Sequence, residues 1–286
     1  MDPTQKPDMP EKFRCAPIEI HLTHNCNLAC RGCNHYSNYN MDRWFIGLKE
    51  FESWIEPWAE RLMPSTFNVL GGEPTLHPAL CDLLLIASRH FQVGSHDLIG
   101  KECPLCLITN GTFLERHPRL KNILIENRIR LFLSVHYNRR PDIIDLVKKW
   151  SREGVAVTIY DYQVRKEWRR FYQGFGARME PFADGNPRKS WEKCIARGYY
   201  QLFNGKIWKC ANIAYLSLAA KALRLSDNWS KYLAYQPLER TASAKELEEF
   251  FSREEESVCG MCPNNPEIVE NSEDVTTQAK SDSILK

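Results

Sequence analysis

The chain has 286 residues, 43% hydrophobic and 26% charged, the balance of an ordinary globular protein with material for a sizeable core. Its 38 basic and 36 acidic residues leave a net charge of +2, which gives no electrostatic reason to expect nucleic acid or an anionic membrane as partner. No apolar run follows Met1 and the most apolar stretch, residues 83–87, is too short to span a bilayer, so a cytoplasmic protein is expected.

Residues 1–14 are Pro-rich and 267–286 rich in Ser, Asp, Glu and Thr; both ends are expected to be disordered. Between them strand-like runs alternate with helical ones. Strands are predicted at 18–23, 66–70, 105–109, 130–136 and 155–160, and helices at 48–62, 78–91, near 114–117 and at 141–153. The last helix carries the stripe Ile143, Ile144, Leu146, Val147 and Trp150 and stops before Gly154. Such alternation predicts an α/β fold with a parallel sheet, whose chemistry sits at the C-terminal ends of its strands. After about residue 180 a hairpin is predicted around Asn204-Gly205, with Phe203 opposite Lys206 and Tyr199 opposite Cys210. Helical stretches at 211–225 and 244–256 follow. The expected organisation is therefore a main domain at 15–180 and a small unit at 181–266, thin enough to need a staple.

Eleven cysteines are many for a reducing compartment, where structural disulfides are rare, and they cluster. Cys15 and Cys81 are isolated and read as buried thiols. Cys103 and Cys106 enter the third strand without a partner pair; a ligating or regulatory role is the lesser reading for them. Cys26, Cys30 and Cys33 share one loop after the first strand, with no fourth cysteine nearby. A cubane cluster has four irons and thiolate is their usual ligand, so three cysteines leave one iron open, the mark of a reactive centre. Zinc favours Cys-x2-Cys pairs and four ligands, and fits this spacing poorly. Cys194, Cys210, Cys259 and Cys262 form a separate four-ligand set, able to saturate a cluster or to hold zinc.

Cys-x3-Cys-x2-Cys after a first strand resembles the signature of the radical S-adenosylmethionine superfamily, which implies a partial (β/α)6 TIM-like barrel. Gly71-Gly72-Glu73-Pro74, after the second strand, looks like that superfamily's motif for the methionine amino group. Glycines let the backbone approach a ligand, and a carboxylate suits an ammonium. Thr109-Asn110-Gly111 and Ser134-Val135-His136 end the third and fourth strands and match places where members contact the cofactor, Ser134 being the ribose ligand. The resemblance thus implies cofactor-binding roles for Gly71, Gly72, Glu73, Asn110, Ser134 and His136. It implies that Cys26, Cys30 and Cys33 hold the [4Fe–4S] cluster that cleaves S-adenosylmethionine. Members often carry an aromatic residue before the third cysteine, near the adenine; here it is Gly32, so backbone alone, His35 or Tyr36 is expected to serve. The later four cysteines, with Trp191 and the Asn-Gly hairpin, look like a twitch domain, the shortened relative of the SPASM domain. That implies a second, auxiliary [4Fe–4S] cluster.

The chemistry so implied is reductive cleavage of S-adenosylmethionine to a 5′-deoxyadenosyl radical, which abstracts hydrogen from a substrate C–H bond. A flavodoxin or ferredoxin would donate the electron. A saturated auxiliary cluster suits electron acceptance, so oxidation of a small or carbohydrate-like substrate is the favoured outcome. Tyr160, Asp161, Tyr162, Trp168 and Arg169 are the candidate substrate residues, since polar groups bind hydroxyls and aromatics stack on sugar faces. Open alternatives are a sugar or peptide epimerase, a peptide cross-linking enzyme and a zinc-stapled binding protein.

Overall fold

The structure, a computed structural model, describes residues 12–91 and 105–273. Strand β1, Phe13–Cys15, is followed by β2, Ile18–His21, where apolar and polar residues alternate. Alternation sends Ile18 and Ile20 to one face of the sheet and Glu19 and His21 to the other. The rest of the first half runs α1 (Leu48–Ala59), β3 (Leu62–Pro64), β4 (Phe67–Leu70), α2 (Leu80–Phe91), β5 (Leu105–Thr109), α3 (Leu120–Glu126), β6 (Arg130–Val135), α4 (Pro141–Arg152) and β7 (Val157–Asp161). Ile18, Ile20, Phe67, Val69, Leu105, Leu107, Leu131 and Leu133 meet Phe51, Ile55, Leu83, Leu84 and Val147 of the helices in one buried core. This is an α/β fold, a partial TIM-like barrel with its helices packed on one sheet face.

The sheet order is β7-β6-β5-β4-β2-β8-β9, parallel except for the last pair. The hairpin strands β8 (Tyr200–Phe203) and β9 (Lys206–Trp208) extend this same sheet, so it runs through the boundary expected at residue 180. The sixth parallel strand, β8, lies beside the first barrel strand, with Ile18 opposite Tyr200, and not beside the fifth. Asn204 (φ 53°) and Gly205 (φ 71°) both take the left-handed conformation that the hairpin turn needs. Phe203 opposes Lys206 as expected, but the ladder ends at Gln201 opposite Trp208, short of Tyr199 and Cys210.

Between β7 and the hairpin lie α5 (Tyr162–Arg165) and α6 (Pro187–Lys193); after it come α7 (Ala211–Ala214), α8 (Leu216–Leu223), α9 (Ser230–Leu233) and α10 (Ala244–Ser252). A second core, with Tyr36, Tyr172, Met179, Tyr215, Trp229 and Met261, fills the space under these short helices.

Three expectations are corrected. Residues 12–14 are ordered: β1 pairs in parallel with β3, Phe13 opposite Leu62. Residues 267–273 are ordered too, Ile268 bridging Arg169 and Glu273 bridging Cys30. The helix predicted to reach Leu62 stops at Ala59, freeing Leu62 to begin β3. Residues 1–11, Cys103 and 274–286 lie outside the described residues. Among the described residues no helix is long and apolar enough to cross a membrane.

Candidate cluster and cofactor site

The parallel sheet brings four sequence motifs to one edge. The loop 24–33 follows β2, Gly71-Gly72-Glu73-Pro74 follows β4, Asn110-Gly111 follows β5, and Ser134 and His136 lie at the end of β6, on four adjacent strands. The loop is pinned to its neighbour by a short backbone ladder: Leu22 N donates to Leu70 O, Gly72 N to Thr23 O and Glu73 N to Asn25 O, each at 2.8 Å. A Cβ on Gly72 would lie 2.1 Å from Asn25 O, and one on Gly71 2.6 Å from Thr23 O. The two glycines therefore admit the cysteine loop.

Cys26 and Cys30 are buried and Cys33 half-buried. Burial raises all three thiols; Glu73 and Cys33 raise Cys26 further, as Cys26 and Cys33 do Cys30. Backbone N–H groups oppose this: those that follow Cys33 lower its thiol, and Leu28 N donates to Cys26 Sγ at 3.4 Å. Three buried or half-buried thiols on one loop, each raised by burial, form a donor set for thiolates on a positively charged group. Among the described residues no group of three or more His, Cys, Asp and Glu donors is placed to hold a single metal ion. A cubane spreads its thiolates over separate irons, and three cysteines on one loop can serve three of its four.

Glu73 is buried, and burial pushes its carboxyl up. Oε1 accepts from Thr75 N (2.9 Å), Thr75 Oγ1 and Thr109 Oγ1 (2.5 Å), and Oε2 from Asn110 N (2.8 Å). Glu73 thus ties the ends of β4 and β5, and Oε2 keeps one lone pair for a ligand. Asn110 donates from Nδ2 to Asn27 Oδ1 (2.9 Å), joining β5 to the cysteine loop. His136 lies 3.0 Å from Asn271 Nδ2 and stacks on Tyr162, with Trp168 edge-on at 5.6 Å.

Neither His35 nor Tyr36 stands at Gly32. The His35 ring lies against His21 (4.8 Å), and Tyr36 donates to Asn212 O (3.1 Å) in the second core. The side chains at Gly32 come from another segment: Trp168 Nε1 donates to Arg31 O (2.7 Å), and Arg170 covers Gly32 itself. Tyr160, Tyr162 and Trp168 form one aromatic group, with neighbouring centroids 4.7 and 5.1 Å apart. Asp161 caps α5 by accepting from Gln163 N and Val164 N and pairs with Arg139, while Arg169 donates to Lys193 O.

Sequence reasoning missed two parts of this region. The segment 268–273 straps the cysteine loop: Val269 N donates to Trp168 O, Gln163 Nε2 to Asn271 O, and Arg31 N to Ser272 O. The second part is the polar sheet face opposite the helices. There Glu19 accepts from Asn68 Nδ2 (3.2 Å) and Gln201 Nε2 (2.6 Å), and Gln201 Oε1 accepts from Tyr215 OH (3.1 Å). Tyr215 stacks on His21 at 4.2 Å, and the Nδ1 atoms of His21 and His24 are 3.2 Å apart. The apolar–polar alternation of β2 was the available signal.

Burial, then His35 and His24, hold His21 well below its ordinary value of 6.5. The unfolded chain takes up a proton near pH 6.5 that folded His21 refuses, so this residue costs stability as pH falls below that value. Urea midpoints at pH 7 and pH 5 are expected to differ less in His21→Asn than in the parent chain; equal differences would contradict the assignment.

The second cysteine set gathers at the ends of short helices. Cys194 closes α6, Cys210 precedes α7, and Cys259 and Cys262 sit within and after the turn Ser257–Met261. All four line one pocket, with Trp191, Arg197, Lys209 and Asn212. Burial raises each thiol, and Cys194, Cys210 and Cys259 raise Cys262 further. Four thiols in one pocket can saturate a cluster or hold zinc.

No protein-family model and no curated protein matches the chain. Among solved structures, SuiB of Streptococcus suis bound to S-adenosylmethionine is 20% identical with a TM-score of 0.41, over 52% of this chain and 34% of SuiB. The structure of anSMEcpe with bound AdoMet is 19% identical with a TM-score of 0.37, over 51% and 43%. BtrN in complex with AdoMet and 2-DOIA is 14% identical with a TM-score of 0.47, over 88% and 94%. The chain thus spans about a third of SuiB and under half of anSMEcpe. Likenesses this distant say nothing of what this chain binds or does.

Proposed function

We propose that this chain is a radical S-adenosylmethionine enzyme that removes a hydrogen from a substrate C–H bond and oxidises the product radical. The observation that carries this is the cysteine loop laddered onto Gly72 and Glu73 at the C-terminal edge of a parallel sheet. In this reading Cys26, Cys30 and Cys33 hold a [4Fe–4S] cluster and Cys194, Cys210, Cys259 and Cys262 an auxiliary one. The first cluster, when bound, supplies the electron that cleaves S-adenosylmethionine to methionine and a 5′-deoxyadenosyl radical. The chain's own residues position and enclose. Glu73 Oε2 offers its free lone pair to the methionine ammonium, and Ser134 and His136 border the nucleoside. Trp168 and the strap 268–273 cover the loop, excluding water and stray hydrogen donors.

A hydroxylated substrate is favoured because the aromatic group of Tyr160, Tyr162 and Trp168 offers faces for sugar stacking. A flavodoxin- or ferredoxin-type protein is the expected electron donor.

Protein purified and reconstituted without oxygen is expected to hold about eight irons and as many sulfides per chain, and to form 5′-deoxyadenosine from S-adenosylmethionine and dithionite. Zinc without sulfide at both sites would end the proposal.

A further inference from the structure

Both cysteine sites have charged groups beside them. Around the first, Glu73 presses on Cys26 and Glu273 on Cys30, while Arg170 covers Gly32 beside Cys33. The second pocket is lined by Arg197 and Lys209, with Glu255 and Glu256 pressing on Cys259. Lys209 is buried, paired with Glu256 at 3.3 Å and donating to Arg253 O at 2.7 Å, so its ammonium is fixed there. Arg197 is held over the Trp191 ring, 4.9 Å from its centroid.

One side chain reaches a sulfur directly. Asn212 is buried, and its Nδ2 lies 3.4 Å from Cys262 Sγ. Its backbone carbonyl accepts from Tyr36 OH at 3.1 Å, and Tyr36 N in turn donates to Cys33 O at 3.1 Å. Asn212 is therefore fixed from the first site's own loop. An N–H donor on a cluster thiolate withdraws electron density and favours the reduced, more negative form, as nearby cations do.

We propose that Asn212, through its hydrogen bond to Cys262, raises the reduction potential of the second cysteine site. The proposal rests on the two-cluster reading above. The step it serves moves one electron: a substrate radical on a carbinol carbon is oxidised to a carbonyl, its hydroxyl proton leaves to solvent, and the second-site cluster is reduced by one electron. Asn212 is a positioning residue, because it acts through Cys262 and touches no substrate.

The test is a redox titration of the anaerobically reconstituted full chain, followed by electron paramagnetic resonance, with iron and sulfide counted in the same samples. Asn212→Leu is expected to keep its iron and sulfide and to shift the second-site midpoint to a more negative potential, leaving the first-site midpoint in place. Tyr36→Phe keeps the ring but loses the bond to Asn212 O, and is expected to shift the second-site midpoint the same way by less. Unchanged second-site midpoints in both variants, with full iron, would overturn the inference and leave the two-cluster reading standing. Zinc in place of iron at the second site of the parent chain would overturn both, and metal analysis separates the two failures.

Discussion

Cys30→Ala is expected to lose about four of the chain's eight irons and to form 5′-deoxyadenosine at background rate, while remaining folded. The expectation of a folded variant comes from the way the loop is held. Its anchors are backbone bonds from Gly72 and Glu73, the Asn27–Asn110 pair and the Arg31–Ser272 bond, and none uses the Cys30 side chain. Truncating one small buried side chain there should cost no more than about 1–2 kcal/mol. Removing one of three thiolates, by contrast, leaves two irons of a cubane without protein ligands. Cys262→Ala makes the complementary case: it should lose the second-site signal while the first-site cluster still assembles. Iron and sulfide content with product analysis reads both variants. Full iron and undiminished product in Cys30→Ala would remove the loop from the chemistry.

Much of the fold was legible because its strands are short apolar runs closed by turn residues. The runs at 105–109 and 130–136 became β5 and β6 almost unchanged. The pairings that escaped are those composition does not encode. Strand β1 is three residues with Arg14 at its centre, and it orders only because Leu62–Pro64 passes alongside. Helix α3 has seven residues, too few for its stripe of Leu120, Ile123 and Leu124 to stand out. Residues 267–273 read as disordered because they have little to bury. Their order comes instead from backbone bonds to Arg31, Trp168 and Gln163, partners more than 100 residues distant. Strand β8 was legible as a strand, but which sheet edge it joins depends on long-range packing with β2.

The motif residues were legible because each follows a strand; their contacts were not. His35 and Tyr36 lie a few residues beyond Gly32 in sequence, yet the chain turns at Gly32 (φ 74°) and Tyr36 (φ 55°) and carries both rings to other partners. Cys106 shows the same limit. It is buried in β5 and alternates with the core residues Leu105 and Leu107, near the strand's start and away from the edge where the motifs gather.

Gly72→Ala is the variant in which fold and site are expected to fail together. The added methyl would sit 2.1 Å from Asn25 O, 2.5 Å from Asn25 C and 2.9 Å from His24 O, all backbone atoms. No rotamer change relieves such a contact, so the ladder between β4 and the cysteine loop must open. Opening it strands the partners of Gly72 N and Glu73 N in a buried region, at about 1–3 kcal/mol for each unsatisfied group. A total loss of roughly 3–5 kcal/mol places the variant among the severe ones. Displacing Asn25 also displaces Cys26, the next residue, so the first-site iron should be lost even in the molecules that stay folded. The second site lies on the ends of α6 and α7 and should keep its metal. Gly47→Ala is the control. It has no atom within 4 Å of the new methyl, and less than about 1 kcal/mol is expected there. If Gly72→Ala matched that control in urea midpoint and iron content, the cysteine loop could not be resting on the end of β4, and the site would have to be built another way.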